Sequence, residues 1–188
     1  METGTIILIV VLVVLVGGVG WFIAAYNGFI KLRNIVEEAF ATMDVYMKKR
    51  YDLIPNLVET VKGYASHEKE TLENVTKARN MAAGAETLEQ RAAGENMLTG
   101  TLKTLFAVAE NYPNLKANEN FMDLQGQLQK VEEDIANSRK YYNAVVREFN
   151  TAIQVFPNNI IAGMFRFEKK PMFEVEAAEE RQNVKVEF

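Results

Sequence analysis

The sequence contains no cysteine, one histidine and four prolines among its 188 residues. The lack of cysteine excludes disulfides, thiolate metal sites and thiol nucleophiles. A single histidine, His67, is too few for a histidine metal site and severely limits catalytic triads, so we expect neither a metal nor another cofactor. The scarcity of proline and glycine favours long helices over a loop-rich fold.

A large excess of one charge is also missing. The formal net charge is −4, so the chain lacks the basic excess of a nucleic-acid-binding protein, and we expect no nucleic-acid partner. There is no glycine-rich phosphate loop, and the stretch His67-Glu68-Lys69-Glu70 lacks the second histidine of a zinc-protease helix. We therefore expect no enzymatic activity and assign no catalytic, cofactor-binding or metal-binding residue.

Residues 6–25 contain no charge at all and read IILIVVLVVLVGGVGWFIAA. Twenty helical residues span about 30 Å, the thickness of the hydrocarbon core of a bilayer. The flank at residues 1–5 has no basic residue and the apolar run is long, so a transmembrane helix is favoured over a signal peptide. Lys31 and Arg33 follow the run, which predicts that the rest of the chain is cytoplasmic.

Residues 26–156 are predicted to form a helical domain. In the first helix, apolar residues recur every three or four positions from Phe29 to Tyr64, and Pro55 is expected to kink this helix without ending it. In the last helix the same alternation is typical of a bundle or coiled-coil seam. This last helix is predicted over residues 118–156, and two shorter helices are predicted over residues 67–83 and 87–110. Thr87 and Asn118 are expected to cap the N-termini of the helices that they begin.

These elements predict an all-α fold: an N-terminal transmembrane helix followed by an elongated antiparallel four-helix bundle with two long and two shorter helices. Near the anchor, the two long helices have little to cover them, so a second copy, the C-terminal segment or the bilayer surface must do so. Residues 157–188 are an amphipathic segment and a charged tail. The amphipathic segment either lies on the membrane or plugs the end of the bundle. The residues expected at this self-association or membrane-surface contact are Phe29, Leu32, Val36, Phe40, Ile160, Ile161 and Phe165.

Several polar residues lie on or beside the apolar stripes and form a predicted structural polar network. They either line a binding site or pair with one another to set the helix register, and we favour pairing because buried charges need partners. Arg50 falls on the stripe itself, so we predict that it pairs with a carboxylate on a neighbouring helix or turn. The set comprises Asp44, Arg50, Asp52, Asn56, Arg79, Arg139, Asn143 and Asn150.

Two motifs, RYDLIPNLV at residues 50–58 and YPNLKAN at residues 112–118, resemble the LemA family of bacterial membrane proteins. Together with the anchor, the resemblance extends over nearly the whole chain. It implies a single-pass protein of the bacterial inner membrane with a helical bundle. It implies no established enzymatic activity, so it transfers no catalytic residue to this chain.

The interpretation that follows is a membrane-anchored structural or interaction protein that self-associates and organises membrane or recruits partners. Its expected partners are the lipid bilayer, further copies of the chain and other membrane proteins. One alternative is a signalling or sensor subunit that relays a conformational change through the kinked first helix. Another is a membrane-bound hydrolase, which would require a cleft with converging acid and base groups.

Overall fold

A computed structural model describes residues 3–174, and within this range the chain is helical and forms no strand. The all-α prediction is therefore confirmed. The helices are α1 (Thr3–Lys62), α2 (Lys69–Ala83), α3 (Leu88–Ala109), α4 (Pro113–Lys116), α5 (Glu119–Ala152) and α6 (Asn158–Met164).

Helix α1 joins the predicted anchor to the rest of the chain without a break. It is 60 residues long and continues through Pro55, as predicted. Among the described residues it is the one helix that is long and apolar enough to cross a membrane, judged by length and composition. The side chains from Ile6 to Val16 are all at least 47% exposed, so no other residue that the structure describes covers this part of the helix.

Side-chain caps fix the starts of two helices. The Thr87 hydroxyl accepts a hydrogen bond from the Gln90 amide and the Gln90 side chain accepts one from the Thr87 amide, which confirms the predicted capping box. Asn118 Oδ1 accepts from the Phe121 amide at 3.0 Å, so the predicted cap of α5 is also present.

Three predicted boundaries differ from the structure. Residues 111–117, which lie between two predicted helices, contain the single-turn helix α4, because Pro113 supplies a favourable φ at a first helical position. Helix α5 ends at Ala152, four residues earlier than predicted, and α2 begins at Lys69 instead of residue 67. Gly84 follows α2 directly and has a φ of −91°, outside the left-handed region that is common at this position.

The chain divides into two compact units. Of the described residues, the anchor unit comprises residues 3–40 and 141–172, and the four-helix unit comprises residues 41–140 and 173–174. The charged tail beyond residue 174, in which alternating Val184, Val186 and Phe188 indicate a strand, lies outside the described residues.

The four-helix unit contains the end of α1, then α2, α3, α4 and most of α5. Its core side chains recur at helical spacing and are almost fully buried: Met43, Met47, Ile54, Leu57, Val61, Val75, Ala78, Ala82, Leu98, Leu105, Leu128 and Val131. Helices α2 and α3 pack backbone to backbone, since a Cβ atom added at Gly94 would lie 2.7 Å from the Ala82 Cα atom. Such a core is what the predicted four-helix bundle requires, and the bundle arrangement itself stays a prediction.

The anchor unit is held together by aromatic rings. The segment after α6, residues 165–172, is called the strap below. The Phe167 ring of the strap lies 5.2 Å from the Phe29 ring and 6.4 Å from the Phe149 ring, measured between centroids. Phe29 and Phe149 are 2% and 1% exposed. Of the three covers that the sequence leaves open for Phe29, the C-terminal segment is the one present in the structure.

Candidate functional site

A charged side chain lies in the centre of the four-helix unit. Arg50 occupies a core position of α1 and is 1% exposed. Its Nη1 atom donates to Thr99 Oγ1 at 3.3 Å and also to Glu132, and its Nη2 atom donates to Glu95. The predicted pairing of Arg50 with a carboxylate on a neighbouring helix is therefore confirmed, with α3 and α5 each supplying one.

Tyr51 completes this cluster from the next position of α1. Its hydroxyl donates to the second carboxylate oxygen of Glu95, so both oxygens of that buried group are bonded. The Tyr51 backbone carbonyl accepts from Arg79 Nε at 3.2 Å, which brings α2 into contact with the same turn of α1. We call Arg50, Tyr51, Glu95, Thr99 and Glu132 the Arg50 cluster. Together with Arg79 it ties α1 to the three other main helices of the unit.

The surroundings of the cluster raise the pKa values of Glu95 and Tyr51. Burial raises the pKa of Glu95 above its usual range, while the positive charge of Arg50 and the hydrogen bond from Tyr51 oppose that shift. Burial also raises the pKa of Tyr51 well above 10, and the negative charge of Glu95 adds to the effect. The Tyr51 hydroxyl therefore remains a hydrogen-bond donor over the whole neutral range.

A shallow depression of about 260 Å³ adjoins the cluster. Its wall includes three cationic side chains and two carboxylates, and Asp44 already accepts a hydrogen bond from Arg91. Asp52 lies on the same wall but is exposed, and Asn56 is exposed as well. The lining consists of Asp44, Lys48, Tyr51, Asp52, Arg79, Ala83 and Arg91. The opposite charges largely neutralise one another, so the depression is not a strong site for either an anion or a cation.

The remaining predicted polar residues lie away from the Arg50 cluster. The Arg139 guanidinium stands over the Phe173 ring, 5.9 Å from its centroid, within the four-helix unit. Asn150 belongs to the anchor unit, where its amide donates to the Lys170 carbonyl and accepts from the Lys170 amide, both at 2.8 Å. Asn143 is half-buried in the same unit. The eight predicted residues thus serve several separate contacts.

The structure adds partners that the sequence analysis does not name. Glu95 lies three positions before Leu98 on the apolar stripe of α3, which is the same signal that identifies Arg50 on α1. Glu132, Thr99 and Arg91 give no comparable signal, because each resembles an ordinary surface residue of an amphipathic helix. Among residues 3–174, no group of three or more histidine, aspartate or glutamate side chains is placed to hold a metal ion.

Comparison with known proteins places this cluster inside a family domain. The model of the LemA family matches residues 39–188, a range that contains every member of the Arg50 cluster. The chain belongs to the LemA family. The match begins beyond the apolar run, whereas the sequence resemblance was expected to include the anchor.

Individual LemA relatives are distant. Protein LemA of Metamycoplasma hominis is 23% identical over 75% of this chain and 65% of its own length. Magnetosome protein MamQ 2 of Paramagnetospirillum magneticum is 24% identical, with 81% and 66% covered. Magnetosome protein MamQ of Magnetospirillum gryphiswaldense is 21% identical, with 79% and 64% covered. Each match spans just under two thirds of the relative. With its exposed apolar helix, this LemA family member is a membrane-anchored protein.

Proposed function

We propose that this LemA family member is a structural and interaction protein without enzymatic activity, which self-associates and organises membrane or recruits partners. In this proposal it crosses a bacterial inner membrane once, with the residues after the anchor in the cytoplasm. The observation that carries it is the Arg50 cluster. The charges that reach the interior bond to one another across helices, which suits a role in fixing helix register.

Self-association is supported by the open surface of the anchor. No residue in the most apolar part of α1 is buried within the chain. A Cβ atom added at Gly17, Gly18 or Gly20 meets no atom within 4 Å, so no other described element packs against α1 at these positions. Small residues permit close packing of transmembrane helices, and Gly20 with Ala24 has the small-xxx-small spacing.

Recruitment of a partner is supported by a groove of about 760 Å³ in the four-helix unit. Val58 of α1 and Leu72 of α2 lie on its wall, and the charged residues there are three basic and one acidic: Lys62, Lys69, Lys77 and Glu73. An apolar floor with basic residues suits an amphipathic segment with acidic side chains. We therefore propose that a partner of this kind docks between α1 and α2.

The mass of the full-length particle in a mild detergent tests self-association directly. We expect a mass of two or more copies, and a lower mass for Gly20→Leu because the larger side chain prevents close helix approach. Gly28→Leu is the matched control, since Gly28 is equally open but follows the predicted span. A wild-type particle that contains one copy at all accessible concentrations would contradict self-association.

A second candidate function is the relay of a signal through α1. The uninterrupted course of α1 from the anchor through Pro55 to Lys62 supports it, because one helix then joins the membrane to the Arg50 cluster. Pro55→Ala should then alter the response of a complemented deletion strain while helix content and unfolding temperature stay unchanged. An unchanged response would count against the relay.

A further inference from the structure

Helix α6 carries apolar side chains on two sides. Ile161 and Ala162 are 1% and 3% exposed and pack into the anchor unit. Ile160 and Met164, one turn apart, are 55% and 65% exposed. Residues four apart share a helix face, so α6 presents an outward apolar face that no other described residue covers.

The end of α6 lies beside the end of the apolar run of α1. The Phe165 ring is 5.9 Å from the Phe22 ring and 4.6 Å from the Tyr26 ring, measured between centroids. Phe22 belongs to the predicted span, and Tyr26 follows its last residue. Helix α6 is seven residues long, so each of its residues lies within about 10 Å of Phe165. A span inserted in a bilayer therefore brings α6 to the polar interface.

The strap fixes this position and adds positive charge. Phe167 N donates to the Ala162 carbonyl at 2.9 Å and Arg166 N to the Gly163 carbonyl at 3.3 Å, the bonding pattern of a Schellman motif. The motif turns Phe167 inward to the rings of Tyr26 and Phe29. Residues 157–172 carry three basic residues and one acidic residue, although the whole chain has a net charge of −4.

We propose that α6 and the strap form a lipid-binding surface, in which Ile160 and Met164 insert between acyl chains while Arg166, Lys169 and Lys170 bind anionic phospholipid headgroups. Apolar insertion combined with basic side chains is the usual composition of an interfacial helix. The occupant is the bilayer that holds the anchor, because the ring contacts to Phe22 and Tyr26 make this surface continuous with the span. The inference rests on the proposed function and deepens it by naming the lipid contacted.

Accessibility of a nitroxide label tests this surface, and the absence of native cysteine makes single-site labelling direct. Full-length Ile160→Cys is labelled and inserted as single copies into lipid nanodiscs. Tyr141→Cys is the matched control, because Tyr141 belongs to the same unit and is also 55% exposed. We expect the ratio of collisions with oxygen to collisions with a water-soluble nickel complex to be severalfold higher at position 160. Equal, water-like ratios at both positions would overturn the proposal.

The lipid charge is tested by comparing phosphatidylcholine discs with discs that also contain phosphatidylglycerol. We expect the label at position 160 to be deeper in the anionic discs, and Lys169→Gln/Lys170→Gln to remove most of that difference. Identical depth in both lipids would overturn the anionic headgroup assignment. If the label at position 160 is protected from the water-soluble nickel complex only in discs with two copies, the occupant of this surface is a second copy and the bilayer assignment is overturned. Single-copy discs keep the outcome independent of self-association, which the particle mass measures separately.

Discussion

The four-helix unit and the anchor unit bury polar groups in different ways. In the four-helix unit, ionised side chains from separate helices meet in the interior, with Arg50 held between Glu95 and Glu132. In the anchor unit, the Phe167 ring packs between aromatic rings, and the Asn150 amide satisfies the backbone of the strap at Lys170. The four-helix unit therefore buries ionised side chains within its apolar core, whereas the anchor unit combines aromatic packing with neutral hydrogen bonds.

Because of this difference, the two units should tolerate different substitutions. Removing one partner of a buried ion pair strongly lowers stability, because the other charge remains desolvated. Removing a neutral amide leaves only uncharged donors and acceptors unpaired, which lowers stability by less. Amide hydrogen exchange, which reports local opening, can follow the two units separately in the full-length protein.

Loss of the Arg50 charge should have the largest effect. Arg50→Met leaves Glu95 buried without its cationic partner and should destabilise the four-helix unit by about 3–5 kcal/mol. Hydrogen exchange should accelerate in α2 and α3 while the strap remains protected. Arg50→Met/Glu95→Leu is the matched control and should recover most of the loss, since it removes both charges. Full stability and assembly of Arg50→Met would refute the structural role of the cluster.

Removal of the Asn150 amide should have a smaller effect, confined to the anchor unit. Asn150→Leu leaves the Lys170 N–H and C=O without their partner and should cost about 2 kcal/mol. Exchange should accelerate at residues 165–172 and not in α3. Asn159→Ala, at an exposed asparagine of α6, is the control and should change neither region. Loss of protection in α3 instead would remove the distinction between the units.

Tyr51 should make the four-helix unit sensitive to alkali. Its folded-state pKa is raised above the ordinary value of 10.0, so the folded state binds this proton more tightly than the unfolded state. The contribution is complete below pH 10.0 and is lost as the pH rises further. Tyr51→Phe should lower stability by about 1 kcal/mol at neutral pH and remove this alkaline loss. An unchanged slope above pH 10.0, against a Tyr141→Phe control, would show that Tyr51 is not its source.

The smallest expected effect is a gain in the anchor unit. Arg166 has a φ of 54°, a left-handed conformation that strains a residue with a Cβ atom. Arg166→Gly should exceed Arg166→Ala in stability by up to about 1 kcal/mol, since both lack the charge but glycine alone relieves the strain. Chemical unfolding, monitored by the hydrogen-exchange protection of the strap, measures this difference in stability. Equal stability of the two variants would show that the turn stores no such strain.

Sequence periodicity predicts most of the helices and one of the five members of the Arg50 cluster. The stripe on α1 identifies Arg50 as a buried charge, and the capping residues Thr87 and Asn118 locate two helix starts. Glu95 interrupts the stripe of α3 in the same way and was predictable by the same argument. Glu132 was not predictable in this way, because it is one of several acidic residues of α5 and its side chain is 37% exposed.

The anchor unit was less predictable, for a different physical reason. The strap has no periodic pattern, and its position depends on three aromatic rings distant in sequence: Tyr26, Phe29 and Phe149. Sequence therefore leaves open what covers Phe29 and Val36, which are 2% and 3% exposed in the structure. Leu32 and Phe40, expected at the same surface, are half-buried. Self-association through these four residues remains a prediction, and Ile160, Met164 and Phe165 are the more exposed apolar side chains.

The most direct test of the account is an image, by single-particle electron microscopy, of the full-length protein in a lipid nanodisc. We expect more than one copy in each particle, with the anchors side by side in the bilayer and α6 at the bilayer surface. A particle with a single copy, or with α6 separated from the lipid by solvent, would contradict it.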